Sequence, residues 1–126
     1  MIARLALITL RITVLLNLIL GILFWTGNAA DRLIPIHIGL GILAVLSLWT
    51  LGVAQALTKG GSWSLAIGAV VLGIILAASG GAQDELLTGS SHWIIQVIHL
   101  SLAVLVLAMG ELISGRARRA TALTAM

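Results

Sequence analysis

"IPIHIGLGILAVLSLWTLGVAQAL" fills residues 34–57 and carries no Asp, Glu, Lys or Arg. A helix of that length reaches about 36 Å at about 1.5 Å per residue, enough to cross a hydrocarbon core of about 30 Å. A helix on the surface of a water-soluble domain needs a polar face, and this stretch has none. It therefore reads as a membrane span. Three further apolar stretches, 5–25, 63–80 and 92–113, have similar character. Across 126 residues, 60% are hydrophobic and 9% charged, too few polar groups to coat a soluble domain. The expectation is an all-α, four-helix transmembrane bundle in one domain, residues 1–119. Residues 120–126 are expected to form a disordered cytoplasmic tail.

The formal charge is +3. Its distribution speaks for topology, not for nucleic acid. Arg4 precedes the first span, Lys59 separates the second from the third, and Arg116, Arg118 and Arg119 follow the fourth. The loop at 82–91 has no basic residue. The positive-inside rule then puts both termini and the Lys59 loop in the cytoplasm, and the lipid bilayer is the first partner. A bacterial or archaeal plasma membrane is the expected setting. The first span has no A-x-A-like site leading to a soluble domain and reads as retained. The absence of cysteine excludes disulfides, iron–sulfur clusters and thiolate metal sites.

Local signals mark the helix ends. Asp31 precedes the second span and Pro35 suits its first turn. Ser90 or Ser91 is a candidate cap for the fourth. Gly60-Gly61 separates spans two and three, and Gly80-Gly81 ends span three. Trp25, Trp63 and Trp93 fall at interfaces, where indole rings settle. Trp49 lies deeper and reads as packing.

Within span two, "HIGLGILAVL" at 37–46 is echoed by "HLSLAVLVLA" at 99–108 in span four. Spans one and three both carry L-G-I, at Gly21 and Gly73. The chain thus reads as two helical hairpins related by a pseudo-two-fold axis along the membrane normal. That symmetry brings His37 and His99 face to face in the outer leaflet. Four residues further on, one turn along the same face, stand Gly41 and Ala103. Gly21 and Gly73 supply bare patches on the other two helices. Two opposed imidazoles in an apolar slot walled by small residues suit a flat hydrophobic disc, haem b with both axial positions filled by histidine.

Other readings of these residues stand beside that one. An intramembrane histidine also serves as hydrogen-bonding glue between helices. Close helix packing by itself favours Gly and Ala. A zinc site wants four ligands, and two histidines are too few. His92 is two turns from His99, about 10 Å away and beyond the reach of one ion. It reads as an interfacial residue or as a neighbour of haem propionates. Arg32 is a propionate partner or a solvated loop residue. Gln96 and Asn17 either serve the site or join helices. Arg11 reads as snorkelling toward the cytoplasmic face. Glu111 reads as solvated or paired near Arg116. There is no nucleophile–base arrangement, phosphate loop or carboxylate pair at membrane depth.

The segments "LIPIHIGLGILAVL" (33–46) and "WIIQVIHLSLAVL" (93–105) resemble the histidine-bearing second and fourth helices of the haem A synthases. In that family each four-helix half binds or receives a haem between histidines on its second and fourth helices. The spacing of 62 residues between His37 and His99 is similar to that of one half. Gln96 and His99 match the family's Q-x-x-H, while Leu100 stands where Arg is usual. Ile34 occupies the place of the catalytic half's glutamate, and the cysteine pair found in many bacterial members is missing. The resemblance therefore implies the carboxy-terminal, cofactor-binding half standing alone, with a homo-oligomer as a plausible assembly.

Three functions follow as expectations. The first is a b-type cytochrome that passes electrons to a redox partner or serves a larger respiratory or photosynthetic complex. The second is a half-size haem A synthase-like enzyme or its partner module. The third is a haem-free accessory subunit. His37 and His99 are the expected iron ligands. Gly21, Gly41, Gly73, Gln96, Ala103, Arg32 and His92 are the expected neighbours of the cofactor.

Overall fold

The computed structural model describes residues 1–124. Four helices follow one another: α1 (Ile2–Trp25), α2 (Ile34–Ala56), α3 (Trp63–Gly81) and α4 (His92–Thr124). No strand occurs among the described residues. All four helices are long and apolar enough to cross a membrane, and the chain is an all-α, four-helix integral membrane protein.

The helix starts have different physical origins. Single 3-10 turns at Asp31–Leu33 and Gly89–Ser91 lead into α2 and α4. Pro35 sits in the first turn of α2, where no backbone donor is needed. Neither serine at 90–91 caps α4 through its side chain; the 3-10 turn makes the entry instead. The cap with a side-chain bond is at α3, where Ser62 Oγ accepts from the Leu65 N–H at 3.4 Å. The short α2–α3 connection needs glycine for space. A Cβ on Gly61 would run into the carbonyl oxygens of Gln55 and Ala56. The buried Gln55 ties the same turn down, its Oε1 accepting from the Ser62 N–H at 3.3 Å.

In packing, α2 and α4 each contact the three other helices, whereas α1 and α3 do not touch. The densest core lies toward the Lys59 end of the bundle. Leu10, Leu48, Leu51, Val106 and Ile113 are fully enclosed there. Small residues let the helices close: a Cβ on Gly52 would lie 3.1 Å from that of Ala69, and Gly110 accommodates the Leu10 side chain. Outward, aliphatic side chains such as Ile12, Ile19, Ile42, Val71 and Leu105 are exposed on every helix. A bilayer is the solvent that suits such a surface.

Two expectations need correction. The chain after Arg119 is not a disordered tail from residue 120 onward: α4 continues without a break to Thr124. Residues 125–126 lie outside the described residues. Arg11 does not simply snorkel. Its guanidinium grips Glu111 on α4 with two bonds, Nε to Oε1 at 2.5 Å and Nη2 to Oε2 at 2.9 Å. Glu111 is therefore held across the bundle by Arg11, with Arg118 near enough to add its charge. A charge in an apolar medium is strongly favoured to find its opposite, and a fork of guanidinium donors fits a carboxylate.

Candidate functional site

Away from that dense core, the helices part around a cavity of about 540 Å³. Its walls come from all four helices. Asn17, Gly21 and Phe24 contribute from α1, and His37, Gly41, Val45 and Trp49 from α2. Leu76 and Gly80 contribute from α3, and Gln96, His99 and Ala103 from α4. The lining is overwhelmingly apolar, with a few polar groups directed inward, the usual makeup of a small-molecule site.

His37 and His99 meet here, their ring centroids 6.3 Å apart and their planes inclined by 51°. They are seated differently. Ser79 holds His99, its Oγ lying 2.9 Å from Nδ1. The same hydroxyl donates its one hydrogen to the Leu76 carbonyl at 2.8 Å. With that hydrogen on the carbonyl the hydroxyl can only accept, and the matching tautomer of His99 has its proton on Nδ1 and a lone pair on Nε2. Beneath the ring lies Gly80, where a Cβ would sit 2.8 Å from Cε1 of His99. That distance is too short for any side chain, so the imidazole rests on bare backbone.

His37 has a looser seat. Gly21 faces it, but a Cβ there would stand 3.7 Å from Cε1, an ordinary contact. Phe24 meets the ring edge-on, with centroids 5.7 Å apart and an interplanar angle of 84°. Nδ1 of His37 is buried and has no hydrogen-bond partner. Two more buried polar atoms of the cavity wall are also unpartnered, Asn17 Oδ1 and Trp49 Nε1. Buried polar groups are nearly always satisfied. Of the three, Trp49 Nε1 is turned toward Gly73, and His37 Nδ1 and Asn17 Oδ1 belong to the α2 and α1 walls of the cavity.

Of the residues expected at the site, His37, His99, Gly21, Gly41, Gln96 and Ala103 line the cavity. Gly73 does not, and this is a correction. Its bare face is occupied by the Trp49 indole, with Val45 close by. Gly80, seven residues further along α3, does the work assigned to Gly73. The L-G-I phrases of α1 and α3 share a helix face but are out of register by two turns. Arg32 is exposed in the 3-10 turn before α2, and His92 opens α4; neither lines the cavity. Asn17 does not hydrogen-bond an imidazole, and instead lies against the α2 backbone at Gly41.

Ser79, Gly80 and Phe24, with Gln83 on the cavity wall, also belong to the site, and no pattern in the sequence marks them. Ser79 and Gly80 stand in "SGG" (79–81), which reads as a helix terminator. A serine twenty residues before a histidine has no fixed spacing that would betray their bond. Among the described residues, no cluster of three or more His, Cys, Asp or Glu gathers anywhere. No known protein family, curated protein or solved structure matches the chain.

Proposed function

We propose that the protein is a membrane-embedded b-type cytochrome that holds one haem between His37 and His99 and transfers electrons. The observation that carries this reading is the separation of the two rings. Metal–imidazole bonds run about 2.0–2.1 Å, so two rings whose nitrogens shared one ion would have centroids on the order of 6 Å apart. The separation here is 6.3 Å. Two imidazoles without a third protein donor nearby leave a bare ion undercoordinated. A porphyrin brings its own four equatorial nitrogens.

The helix-tying reading has a specific difficulty. Histidines that serve only as interhelical glue each need a partner. His99 has one in Ser79, through Nδ1, and still leaves Nε2 unused. His37 has none at Nδ1. Through Nδ1, then, His37 makes none of the interhelical bonds that a structural role would require of it.

Within this reading His37 and His99 would hold the haem iron. Gly21 and Gly80 make room for the two imidazoles themselves, and Ala103 and Gln96 line the cavity between the helices. Haem iron held there would supply a one-electron couple. The apolar wall excludes water and holds the rings in place, so little reorganisation accompanies a change of charge. The likeness to the cofactor-binding half of the haem A synthases is consistent with the same site. Ile34, in place of the catalytic half's glutamate, weighs against haem modification by this chain alone. Electron transfer calls for a redox partner, a larger membrane complex or a second copy of the chain. The arginine distribution supports a plasma-membrane orientation with both termini cytoplasmic.

A reduced-minus-oxidised absorption spectrum of the purified protein tests the proposal. The wild type is expected to give the sharp α and β bands of a six-coordinate bis-histidine haem. His37→Ala and His99→Ala are each expected to lose them. Their persistence in either variant would remove that residue from the ligand set, and a wild type without haem would reject the reading.

A further inference from the structure

Resting on the haem reading, a second conclusion concerns the inequality of the two ligands. We infer that His99 is the fixed axial ligand, tethered by Ser79 and seated on Gly80, and that His37 is the exchangeable one, able to yield its coordination position to a small diatomic ligand.

Two independent features carry this. The first is hydrogen bonding. A neutral imidazole that binds metal through one nitrogen carries its proton on the other. For His99 that N–H is accepted by Ser79 Oγ at 2.9 Å, while Ser79 is itself anchored to the Leu76 carbonyl. Such a bond fixes ring orientation and makes the ligating nitrogen a better donor to metal. For His37 the corresponding N–H at Nδ1 is buried and faces no acceptor. Its aromatic neighbour Phe24 offers at most a weak π contact. Ligation through Nε2 commits His37 to that unsatisfied state, and release lets the ring turn away from it.

The second feature is steric. The His99 ring lies so near the α3 backbone that a Cβ at Gly80 would sit 2.8 Å from it. At Gly21 the same construction leaves 3.7 Å to His37. His99 therefore lies tight against the α3 backbone, and His37 meets α1 at a looser, ordinary contact distance. Serine and bare backbone hold one ring; an aromatic edge and an ordinary contact at Gly21 face the other.

The test uses the full-length, haem-loaded protein in detergent, with haem per chain measured first as the pyridine haemochrome. Carbon monoxide is then added to the dithionite-reduced form. The inference expects carbon monoxide to bind the reduced wild type. It expects His37→Ala to retain haem within about twofold of wild type and to bind the gas readily, and His99→Ala to lose haem by about tenfold. Ser79→Ala, which leaves both ligands in place, is expected to raise the midpoint potential through a weaker His99 donor, and Ser79→Thr to restore it. Equal haem loss in the two histidine variants would overturn the inference. So would a potential unmoved by Ser79→Ala, or a reduced wild type indifferent to carbon monoxide. Absence of haem from the wild type is a different result, and would defeat the underlying reading instead.

Discussion

The two halves of this bundle carry the same phrase and build different environments from it. In the α1–α2 hairpin, His37 faces Phe24 and Gly21 with no hydrogen bond at Nδ1 and a margin of ordinary contact distance. In the α3–α4 hairpin, His99 is bonded to Ser79 and lies against Gly80. The repeat in sequence places the two rings, while residues outside the repeat decide how firmly each is held. Internal symmetry of this kind fixes position well and chemistry poorly.

The largest effect should come from filling the tighter seat. In Gly80→Val the first side-chain carbon already invades the space of the His99 ring. Haem per chain is expected to fall roughly tenfold or more, an affinity loss of at least about 1.4 kcal/mol. Normal loading of that variant would break the contrast between the hairpins.

Next in size is a change beside the site. In Gly73→Ala the new Cβ would meet the Trp49 indole and lie 2.9 Å from Val45 Cγ1. Overpacking of this sort costs about 1–3 kcal/mol. The thermal midpoint in detergent should drop by several degrees, with haem binding reduced less than in Gly80→Val. The opposite ranking of the two variants in haem content would return Gly73 to the cofactor's wall.

The Arg11–Glu111 pair joins the hairpins at the other end of the bundle. Glu111→Leu strands the guanidinium, whereas Arg11→Leu with Glu111→Leu removes both charges. Thermal unfolding should show the single variant less stable than the double, because breaking a pair is worse than deleting it in an apolar surrounding. If the double variant is the weaker, the pair contributes more than mutual neutralisation.

The smallest effect is expected at Gly21→Ala. Its Cβ would make only ordinary contact with His37, and haem content should stay within about twofold of wild type. A loss as large as that of Gly80→Val would show the two seats to be equally tight.

The architecture was legible because lipid imposes one simple demand, a long uncharged stretch per crossing, and four such stretches are plain in the chain. The histidine pair was legible because a polar ring at membrane depth stands out against aliphatics. What was hidden depended on register and on distant partners. The L-G-I phrases suggested equivalence of Gly21 and Gly73, yet a seven-residue slip leaves a helix face unchanged, so pattern alone could not separate Gly73 from Gly80. Arg11 and Glu111 lie one hundred residues apart, and only the packing of α1 on α4 joins them. The helical run from Arg119 to Thr124 was missed because its composition, short of aliphatics, looks like a tail, whereas Ala-rich sequence following an established helix readily extends it.

The most direct test is low-temperature electron paramagnetic resonance of the oxidised, purified protein. One low-spin ferric haem per chain, converted to a high-spin signal or lost altogether when either His37 or His99 is replaced by alanine, is the predicted result. A high-spin wild type, or a low-spin signal that survives both replacements, would contradict it.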